Sequence, residues 1–490
     1  MANPKVEIKY KKLFINNEFV DSVSGKKFPS INPVDESVVA EVAEGDKADV
    51  DKAVKAAKDA FARGSAWRNL QPTQRAALLN KLADLVIRDA AQIANIQTLE
   101  NGKPFTHAYG ETLITAEIFR YYAGWCDKIN GQTLPTDDGS LVITRKEPIG
   151  VAGQITPWNF PVLLIAIKLG PALAVGCPVV LKPAEQTPLC NLHVAALTKE
   201  AGYPAGVINV ITGYGPTAGA ALAEHPDVAK ISFTGSVEVG KKIMVASGQS
   251  NLKRVTLELG GKSPLVIFDD VNIDEAVKIS HDAIFNNSGQ VCIAASRTYV
   301  HSKIYDEFVK KSKELALKRK VGDPFDAATE HGPQVEKDIF DRAIKYIAIG
   351  KKEGATLVTG GERIGKKGFF IQPTIFANVT DDMTIAKDEI FGPVQSILKF
   401  DTMEDVIERA NKTTYGLAAG VLTNDINKAI KFAHAVESGS VWVNNYNEAI
   451  TAHAPFGGYK QSGIGRELGR EALDNYLETK TISIKLANVK

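Results

Sequence analysis

The sequence predicts an α/β fold built from two parallel-sheet domains, and three observations lead to that prediction. At 490 residues, 44% of them hydrophobic, the chain is too long for a single hydrophobic core. From Val151 onward, short apolar runs alternate with helical stretches, which is typical of a parallel sheet with helices on both faces. A second alternating set follows Cys292. Such sheets bind ligands at the carboxyl ends of their strands, so the residues that follow each strand are the first candidates for function.

The N-terminal part is predicted to be largely helical after one strand-forming segment. Residues 13–20 are predicted to form a strand with an Asn-Asn turn. Asp46 is a suitable N-cap for a helix that has one apolar face and ends at Gly64. Pro72 begins a second helix in a favoured first-turn position, and helical character continues over residues 111–125.

The two alternating sets predict the elements of the two sheets. The first set has strands at 151–155, 179–182, 207–211, 229–233 and 255–259, and helices at 162–175, 189–201, 216–224 and 237–247. The second set has strands at 297–300, 356–358, 395–400, 418–422 and 440–443, and helices at 304–318, 335–353, 403–413 and 427–438. Residues 140–146 and 479–486 alternate like strands outside both sets. We expect these two segments to pair with each other, either within the chain or across subunits.

Composition and charge exclude several classes of partner. The formal net charge is +1, with 58 basic and 57 acidic residues, so nucleic acid or an anionic membrane surface is not expected as the main partner. The four cysteines form no C-x-x-C pair, which disfavours a zinc site or a disulfide framework and fits a reducing compartment. The polar first ten residues lack a signal sequence, and the longest apolar run, 160–181, is interrupted by prolines, glycine and lysine. The expected location is the cytoplasm.

Cys292 is a candidate nucleophile because it follows a predicted helix and a Ser-Gly break. A thiol on a short loop is held in position, and its thiolate is the strongest nucleophile among protein side chains. The alternative is a small buried hydrophobic residue, which is the usual outcome for a lone cysteine.

Two polar residues that follow predicted strands suit catalysis. Asn159, in the segment Thr-Pro-Trp-Asn-Phe-Pro, is a neutral donor that would stabilise an oxyanion without a proton to manage. Glu258 ends an apolar strand before Gly-Gly. If it is buried, desolvation should raise its pKa, which suits a general base that works near neutral pH. The structural alternatives are a capping asparagine in a turn and a solvent-facing acid at a strand end.

Three further motifs suit a dinucleotide. Glu185 lies just past a strand, where an acid binds the hydroxyls of an adenosine ribose and repels a 2′-phosphate, which favours NAD over NADP. Gly235 and Ser236 precede a helix whose N-terminus would suit a phosphate, although the spacing does not match G-x-G-x-x-G. Phe391 could stack on a planar ring. The alternatives are a surface salt bridge for Glu185, a serine-capped helix without a ligand for Gly235 and Ser236, and a core position for Phe391. The glycine-rich residues 455–467 indicate close backbone approach or mobility, and the alternative is an ordinary flexible loop.

Together and in this order, the motifs resemble those of the NAD(P)-dependent aldehyde dehydrogenase superfamily. The resemblance runs from about residue 13 to 486, and it is most like the tetrameric cytosolic and mitochondrial branch that oxidises small aldehydes and retinal. The motifs that carry it are Thr-Pro-Trp-Asn-Phe-Pro (156–161), Lys-Pro-Ala-Glu (182–185), Phe-Thr-Gly-Ser (233–236), Glu-Leu-Gly-Gly-Lys-Ser-Pro (258–264), Gly-Gln-Val-Cys (289–292), Glu-Ile-Phe-Gly-Pro (389–393) and Pro-Phe-Gly-Gly-Tyr-Lys (455–460).

The resemblance implies a Rossmann-like cofactor domain, an α/β catalytic domain and a small β oligomerisation arm. The cofactor domain would comprise residues 1–130 and 149–260, the catalytic domain 261–466, and the arm 131–148 with 467–490. It further implies a homotetramer, a dimer of dimers, that uses NAD and a small-molecule aldehyde without a metal.

The resemblance also implies the roles of individual residues. Cys292 would be the nucleophile and Glu258 the general base, while Asn159 and the Cys292 N–H would form the oxyanion hole; Lys168 and Glu467 would relay protons. The residues implied to bind the cofactor are Ile155, Thr156, Pro157, Trp158, Lys182, Glu185, Gly215, Phe233, Gly235, Ser236, Leu259, Glu389 and Phe391.

The resemblance implies an aldehyde tunnel whose lining departs from that of small-aldehyde relatives. The lining residues would be Ile114, Phe160, Leu164, Ile167, Phe285 and Phe456. Many such relatives have tryptophan at the position of Ile167 and phenylalanine at that of Asn286, so this tunnel is expected to be wider and more polar near Asn286. The loop 447–454, at the expected tunnel mouth, would be one residue longer than in such relatives.

Two other functions compete with hydrolytic aldehyde oxidation. One is a CoA-acylating enzyme of the same superfamily, in which CoA instead of water resolves the thioester; Glu258, a base for water, disfavours it. The other is a crystallin-like structural protein that kept the fold and lost the chemistry, and the presence of Cys292, Glu258 and Asn159 argues against it.

Overall fold

The computed structural model describes residues 1–447 and 451–485, and it contains two large sheets and two small ones. The strands in these residues are β1 (Leu13–Ile15), β2 (Glu18–Val20), β3 (Lys27–Ile31), β4 (Val38–Ala43), β5 (Thr133–Leu134), β6 (Leu141–Pro148), β7 (Ala152–Ile155), β8 (Val179–Lys182), β9 (Ile208–Val210), β10 (Lys230–Thr234), β11 (Arg254–Glu258), β12 (Pro264–Ile267), β13 (Arg297–His301), β14 (Thr356–Thr359), β15 (Thr374–Ala377), β16 (Val394–Phe400), β17 (Ala418–Leu422), β18 (Ser440–Val443), β19 (Gly463–Ile464) and β20 (Leu477–Ile484).

Helices cover both large sheets, and the longer ones follow the sequence signals closely. In the same residues the α-helices are α1 (Lys47–Phe61), α2 (Ala66–Asn69), α3 (Pro72–Arg88), α4 (Ala90–Asn101), α5 (Phe105–Ala123), α6 (Pro161–Val175), α7 (Pro188–Ala201), α8 (Ala220–Glu224), α9 (Val237–Gln249), α10 (Ile273–Phe285), α11 (Tyr305–Lys318), α12 (Lys337–Lys352), α13 (Thr384–Lys387), α14 (Met403–Asn411), α15 (Ile426–Ala435) and α16 (Glu471–Asp474). Asp46 caps α1 as predicted, because its side chain accepts from the Ala48 N–H and Asp49 bonds back to the cap. The helix ends at Phe61, before the predicted Gly64.

The first large sheet has eight strands in the order β19-β11-β10-β7-β8-β9-β1-β2. Its central pairs, from β11 to β9, are parallel, as the alternating pattern predicts. Parallel strands end at one edge of the sheet, so the turns after β7, β8, β10 and β11 lie side by side. These turns carry Asn159, Glu185 and Ser236, and Glu258 is the last residue of β11.

The second large sheet has seven strands in the order β14-β15-β16-β13-β12-β17-β18, all parallel except β14. The strand β12, beside the central strand β13, was not predicted by the sequence pattern. The strand begins with Pro264, which argues against a strand in the interior of a sheet, although its four residues are buried throughout, like those of β8. The predicted strands 297–300, 395–400 and 418–422 are confirmed in the same sheet.

The two stray strands pair within the chain. β20 runs antiparallel to β6, from Leu477 opposite Pro148 to Ile484 opposite Leu141, and β5 lies on the far side of β6. The pairing across subunits that the sequence left open is therefore not needed to satisfy this strand. The strand predicted over 479–486 ends at Ile484 in the structure. Lys485 is not part of β20, and Leu486 lies outside the described residues.

Several local features differ from the predictions, and β15, for example, was not predicted. The hairpin of β3 and β4 was not predicted, and the predicted helix 216–224 begins as a π-helical turn, Gly215–Gly219, before α8. Gly215 and Pro216 explain that turn, because neither residue favours a regular helix. Among the described residues, no helix combines the length and the apolar character needed to cross a bilayer.

Candidate active site

A strained turn holds Cys292 at the end of α10. Asn287, Ser288 and Gly289 have positive φ angles of 48°, 58° and 75°. This conformation is unfavourable for a side chain and persists only when the surroundings impose it. The Asn287 amide donates to the Asn159 carbonyl at 3.1 Å, and the Ser288 hydroxyl donates to the Gly332 carbonyl at 2.9 Å. A Cβ on Gly289 would lie 2.2 Å from the Gly392 carbonyl oxygen, so the backbone approach there requires glycine.

The Cys292 side chain is half-buried and packs against an apolar cluster that includes Phe160 and Phe456. Burial, with added repulsion from the Glu258 and Glu389 carboxylates, raises the pKa of the Cys292 thiol to about 12. The resting thiol is therefore protonated, and attack requires a group that takes its proton. The charges of Glu258 and Glu389 act on this thiol although they are 34 and 97 positions away in the sequence.

Glu258 is buried at the end of β11, as the burial argument required. Neither of its carboxyl oxygens has a hydrogen-bond partner among the described residues. Burial raises the pKa of Glu258 well above its ordinary value, and the nearby Glu467 carboxylate raises it further. A Cβ on Gly457 would lie 2.6 Å from Glu258 Oε1, so the glycine leaves the room that the carboxyl group occupies. The Glu258 carboxylate can therefore accept a proton without breaking a hydrogen bond to any of the described residues.

Lys168 and Glu467 form a buried ion pair near Glu258. The Lys168 amine donates to Glu467 Oε1 and, at 3.1 Å, to the Ser232 hydroxyl. The Ser232 hydroxyl also donates to Glu467 Oε1 at 3.3 Å. The pair therefore lies within electrostatic range of Glu258, whose pKa is raised by Glu467 and lowered by Lys168.

Asn159 is buried in the turn between β7 and α6, directly beside the cysteine loop. Its side-chain amide donates to the Gln290 carbonyl at 3.1 Å, two residues before Cys292. An amide nitrogen has two hydrogens, so this bond leaves a second donor for an oxyanion. The sequence reasoning missed Asn101 and Lys103, which donate to carbonyls of this turn, and Glu111, which accepts from the Leu163 N–H in α6. Their polarity was visible, but the sequence does not show that they are buried.

The predicted dinucleotide residues lie along the carboxyl edge of the first sheet. The buried Lys182 amine donates to Glu185 Oε2 at 2.8 Å just past β8, and burial lowers the pKa of Lys182. Ser236 caps α9 by accepting from the Val239 N–H at 3.3 Å, and a Cβ on Gly235 would meet the Phe233 ring at 2.4 Å. The others at this edge are Ile155 at the end of β7, Thr156, Pro157 and Trp158 after β7, Gly215 after β9, and Leu259 after β11.

Glu389 and Phe391 reach this edge from the second sheet. Glu389 Oε1 accepts from the Gly261 N–H at 3.0 Å, and burial raises its pKa. A Cβ on Gly260 would lie 2.1 Å from Glu389 Oε2, so the carboxylate rests on a glycine backbone. Phe391 has a φ angle of 62° and its ring meets that of Trp158 edge to face at 5.4 Å. The two sheets therefore join at these aromatic rings.

The predicted tunnel residues separate into three groups. Phe160, Leu164 and Phe456 are half-buried, and the first and last share a cluster with Cys292. Ile167 is buried in the larger core, and Phe285 is fully buried with its ring 4.8 Å from that of His281. Ile114 is 43% exposed on α5. Of the longer loop 447–454, residues 448–450 lie outside the described residues.

Two buried histidines beneath the cysteine loop should make the protein sensitive to acid. Burial and the positive Arg319 lower the pKa of both His281 and His331 to about 3 from 6.5. Between those values the unfolded chain binds more protons than the folded one, so stability is lost as the pH falls, by about 1.4 kcal/mol per unit for each histidine. Neither ring nitrogen of His331 has a partner among the described residues.

We expect the melting temperature of His331→Leu to fall less than that of the wild type between pH 6.5 and 4.5. The exposed-site control His434→Leu should fall as the wild type does; equal falls in all three would contradict the prediction.

Comparisons with known proteins match this arrangement over nearly the whole chain. A sequence model described as the aldehyde dehydrogenase family matches residues 19–482. The chain is 55% identical over 488 residues to aldehyde dehydrogenase, cytosolic 1, of Mus musculus, covering 99% of this chain and 97% of that protein. It is 56% identical over 484 residues to retinal dehydrogenase 2 of Homo sapiens, covering 99% and 93%. Its structure is similar to the NAD+ complex of aldehyde dehydrogenase from Bacillus cereus, with a TM-score of 0.96, 50% identity, and coverage of 98% and 97%.

Proposed function

We propose that this chain, which belongs to the aldehyde dehydrogenase family, oxidises an aldehyde to the carboxylic acid with NAD+ through a thioester on Cys292. One observation carries the proposal: a half-buried thiol lies within electrostatic range of a buried carboxyl group that has no hydrogen-bond partner among the described residues. Incubation with NAD+ and a series of aldehydes, followed by NADH absorbance, tests it. The absence of NADH with every chain length, despite an alkylatable Cys292, would refute it.

The first half of the reaction uses Cys292 and Asn159. A solvent molecule takes the proton of the Cys292 thiol, and the thiolate attacks the aldehyde carbon to give a hemithioacetal oxyanion. The free amide hydrogen of Asn159 and the Cys292 N–H stabilise that charge. Bound NAD+ supplies the acceptor for the hydride that leaves the carbon. The product on the protein is a thioester.

The second half uses Glu258. The thioester is more reactive toward water than an oxygen ester, and Glu258 removes a proton from the attacking water. Collapse of the resulting oxyanion releases the acid and returns the sulfur as a thiolate. Lys168 and Glu467 then carry the proton away from Glu258. Their ion pair lies close enough to Glu258 to suit this role.

The residues at the carboxyl edge fit NAD+. Lys182 and Glu185 present an amine and a carboxylate to ribose hydroxyls, and the N–H groups at the start of α9 suit a pyrophosphate. Glu389, which packs against the backbone of Gly260, suits the nicotinamide ribose of NAD+. Phe391 would lie beside that ribose. The Bacillus cereus relative is described as an NAD+ complex, which supports the same cofactor here.

Glu185 is expected to decide between NAD+ and NADP+. Its carboxylate repels a 2′-phosphate, so Glu185→Ser should raise kcat/KM for NADP+ and lower it for NAD+, each by about tenfold, as expected for one hydrogen bond to a charged group. Initial rates with both cofactors give the ratio. The exposed acid Glu404, changed in the same way, is the control. An unchanged ratio in Glu185→Ser would remove this residue from cofactor selection.

Substrate and assembly are the finer parts of the proposal. The proposed tunnel of Ile114, Phe160, Leu164, Ile167, Phe285 and Phe456 would accept larger aldehydes than small-aldehyde relatives do, and a kcat/KM series over chain length and ring size tests this. Residues 1–130 with 149–260 would bind the cofactor, 261–466 would catalyse, and 131–148 with 467–490 would join subunits into a homotetramer. The proposed location is the cytoplasm, since the Mus musculus relative is named as cytosolic.

A further inference from the structure

We propose that the buried Lys103–Glu111 ion pair positions Asn159 for oxyanion binding, with Lys103 as the positioning residue. The inference rests on the proposed role of Asn159. Lys103 follows α4 and Glu111 lies on α5, and their side chains are only 1% and 4% exposed. The Lys103 amine donates to Glu111 Oε2 and, at 2.8 Å, to the Asn159 carbonyl oxygen. It also lies 4.0 Å from the centroid of the Phe160 ring, over its face.

Glu111 extends the pair to the helix that follows Asn159. Its Oε1 accepts from the Leu163 N–H at 3.1 Å, and its Oε2 accepts from the Gln97 amide at 2.6 Å. Leu163 lies in the first turn of α6, where backbone N–H groups have no partner within the helix. A carboxylate at this end of a helix is also favoured by the helix dipole. The pair is therefore bonded to Asn159 through Lys103 and to the first turn of α6 through Glu111.

Other contacts leave Asn159 little freedom once Lys103 is in place. The Asn101 amide donates to the Trp158 carbonyl at 2.7 Å, one peptide before Asn159. The Asn159 carbonyl also accepts from Asn287, and its side chain donates to the Gln290 carbonyl. The oxyanion donor is therefore held from one side by α4 and α5 and from the other by the cysteine loop.

A role in stability alone does not require charges at this place. Buried ion pairs are often no more stabilising than apolar side chains of similar volume, whereas the loss of one partner leaves a costly unpaired charge. A positioning role, in contrast, requires the Lys103 amine itself, because among the described residues it is the one donor to the Asn159 carbonyl from the segment of α4, α5 and the loop between them. Displacement of a catalytic donor by about 1 Å can cost about a hundredfold in rate.

The decisive experiment compares Lys103→Met, Glu111→Gln and the double variant. Acylation is followed with p-nitrophenyl acetate without NAD+, because attack on this ester forms an oxyanion at the same place and needs no cofactor. Alkylation of Cys292 by iodoacetamide forms no oxyanion and reports the thiol alone. We expect the double variant to recover the melting temperature lost by Lys103→Met, while its ester acylation stays about tenfold to a hundredfold below wild type. Its alkylation rate should change less than about twofold, because the thiol is not affected.

Three outcomes would overturn the inference. Acylation that recovers together with the melting temperature would show a purely structural pair. An equal fall in alkylation would show that the pair acts on the thiol. A comparable loss in Lys230→Met, which removes a fully buried amine bonded to Thr256 at 2.6 Å, would show a general effect of losing a buried cation. Asn159→Ala separates this inference from the proposed function: normal acylation in that variant would refute the role of Asn159 itself.

Discussion

Replacement of Cys292 by alanine is expected to abolish aldehyde oxidation, with a fall in kcat of at least about 10⁵-fold, as for the loss of other covalent nucleophiles. Without the thiol, no hemithioacetal forms, and the aldehyde hydrate offers a far poorer hydride donor. The side chain is half-buried and alanine removes only its sulfur atom, so the fold should be retained. NADH formation under saturating aldehyde is the measurement.

The buried cysteines provide the matched controls. Cys126 is buried, and burial raises the pKa of its thiol to about 11. Cys126→Ala should keep the activity and should still lose it to iodoacetamide, whereas Cys292→Ala should neither turn over nor incorporate the reagent. NADH formation by Cys292→Ala above about 1% of the wild-type rate would contradict covalent catalysis by this residue.

Replacement of Glu258 by glutamine should separate the two halves of the reaction. Glutamine has the same shape but cannot take a proton, so hydrolysis of the thioester should slow by about 10²–10⁴-fold, the usual contribution of a general base. Since neither carboxyl oxygen has a partner among the described residues, the change breaks no recorded hydrogen bond. Intact-protein mass spectrometry after mixing with NAD+ and aldehyde should show an acyl group that the wild type does not retain.

The pH dependence provides a second test of Glu258. Burial and Glu467 raise the pKa of its carboxyl group, and only the ionised form is a base. Hydrolysis by the wild type should therefore rise with pH through that pKa, and this limb should be absent from Glu258→Gln. A wild-type turnover rate in Glu258→Gln would exclude it as the base, although the family assignment would stand. Release of acyl-CoA on addition of CoA, in place of free acid, would support the CoA-acylating alternative.

Part of the fold followed directly from local sequence patterns. The runs 179–182, 418–422 and 440–443 are strands at the predicted residues, because apolar content and flanking breaks depend only on neighbouring residues. Asp46 and Pro72 begin helices because caps and first turns are also local. The strand β12 was missed because it begins with Pro264, and proline argues against a strand in the interior of a sheet.

The site was predicted in its residue types, and the order of its motifs identified the family. The chemical state of those residues was decided by the tertiary structure. Glu258 has a raised pKa because the fold buries it beside Glu467, 209 positions away in the sequence, and Cys292 is held by a strained turn that rests on Gly392. The bond from Lys103 to Asn159 spans 56 residues and joins two segments that no local pattern connects.

The sequence by itself therefore determined which groups are available: a thiol after a helix, an acid at the end of an apolar strand, and an amide after another strand. The tertiary structure alone decided which of them are desolvated, which have partners and which face one another. The physical reason is that desolvation and hydrogen bonding between distant segments depend on what surrounds a side chain, and the surroundings are made by residues far apart in the chain.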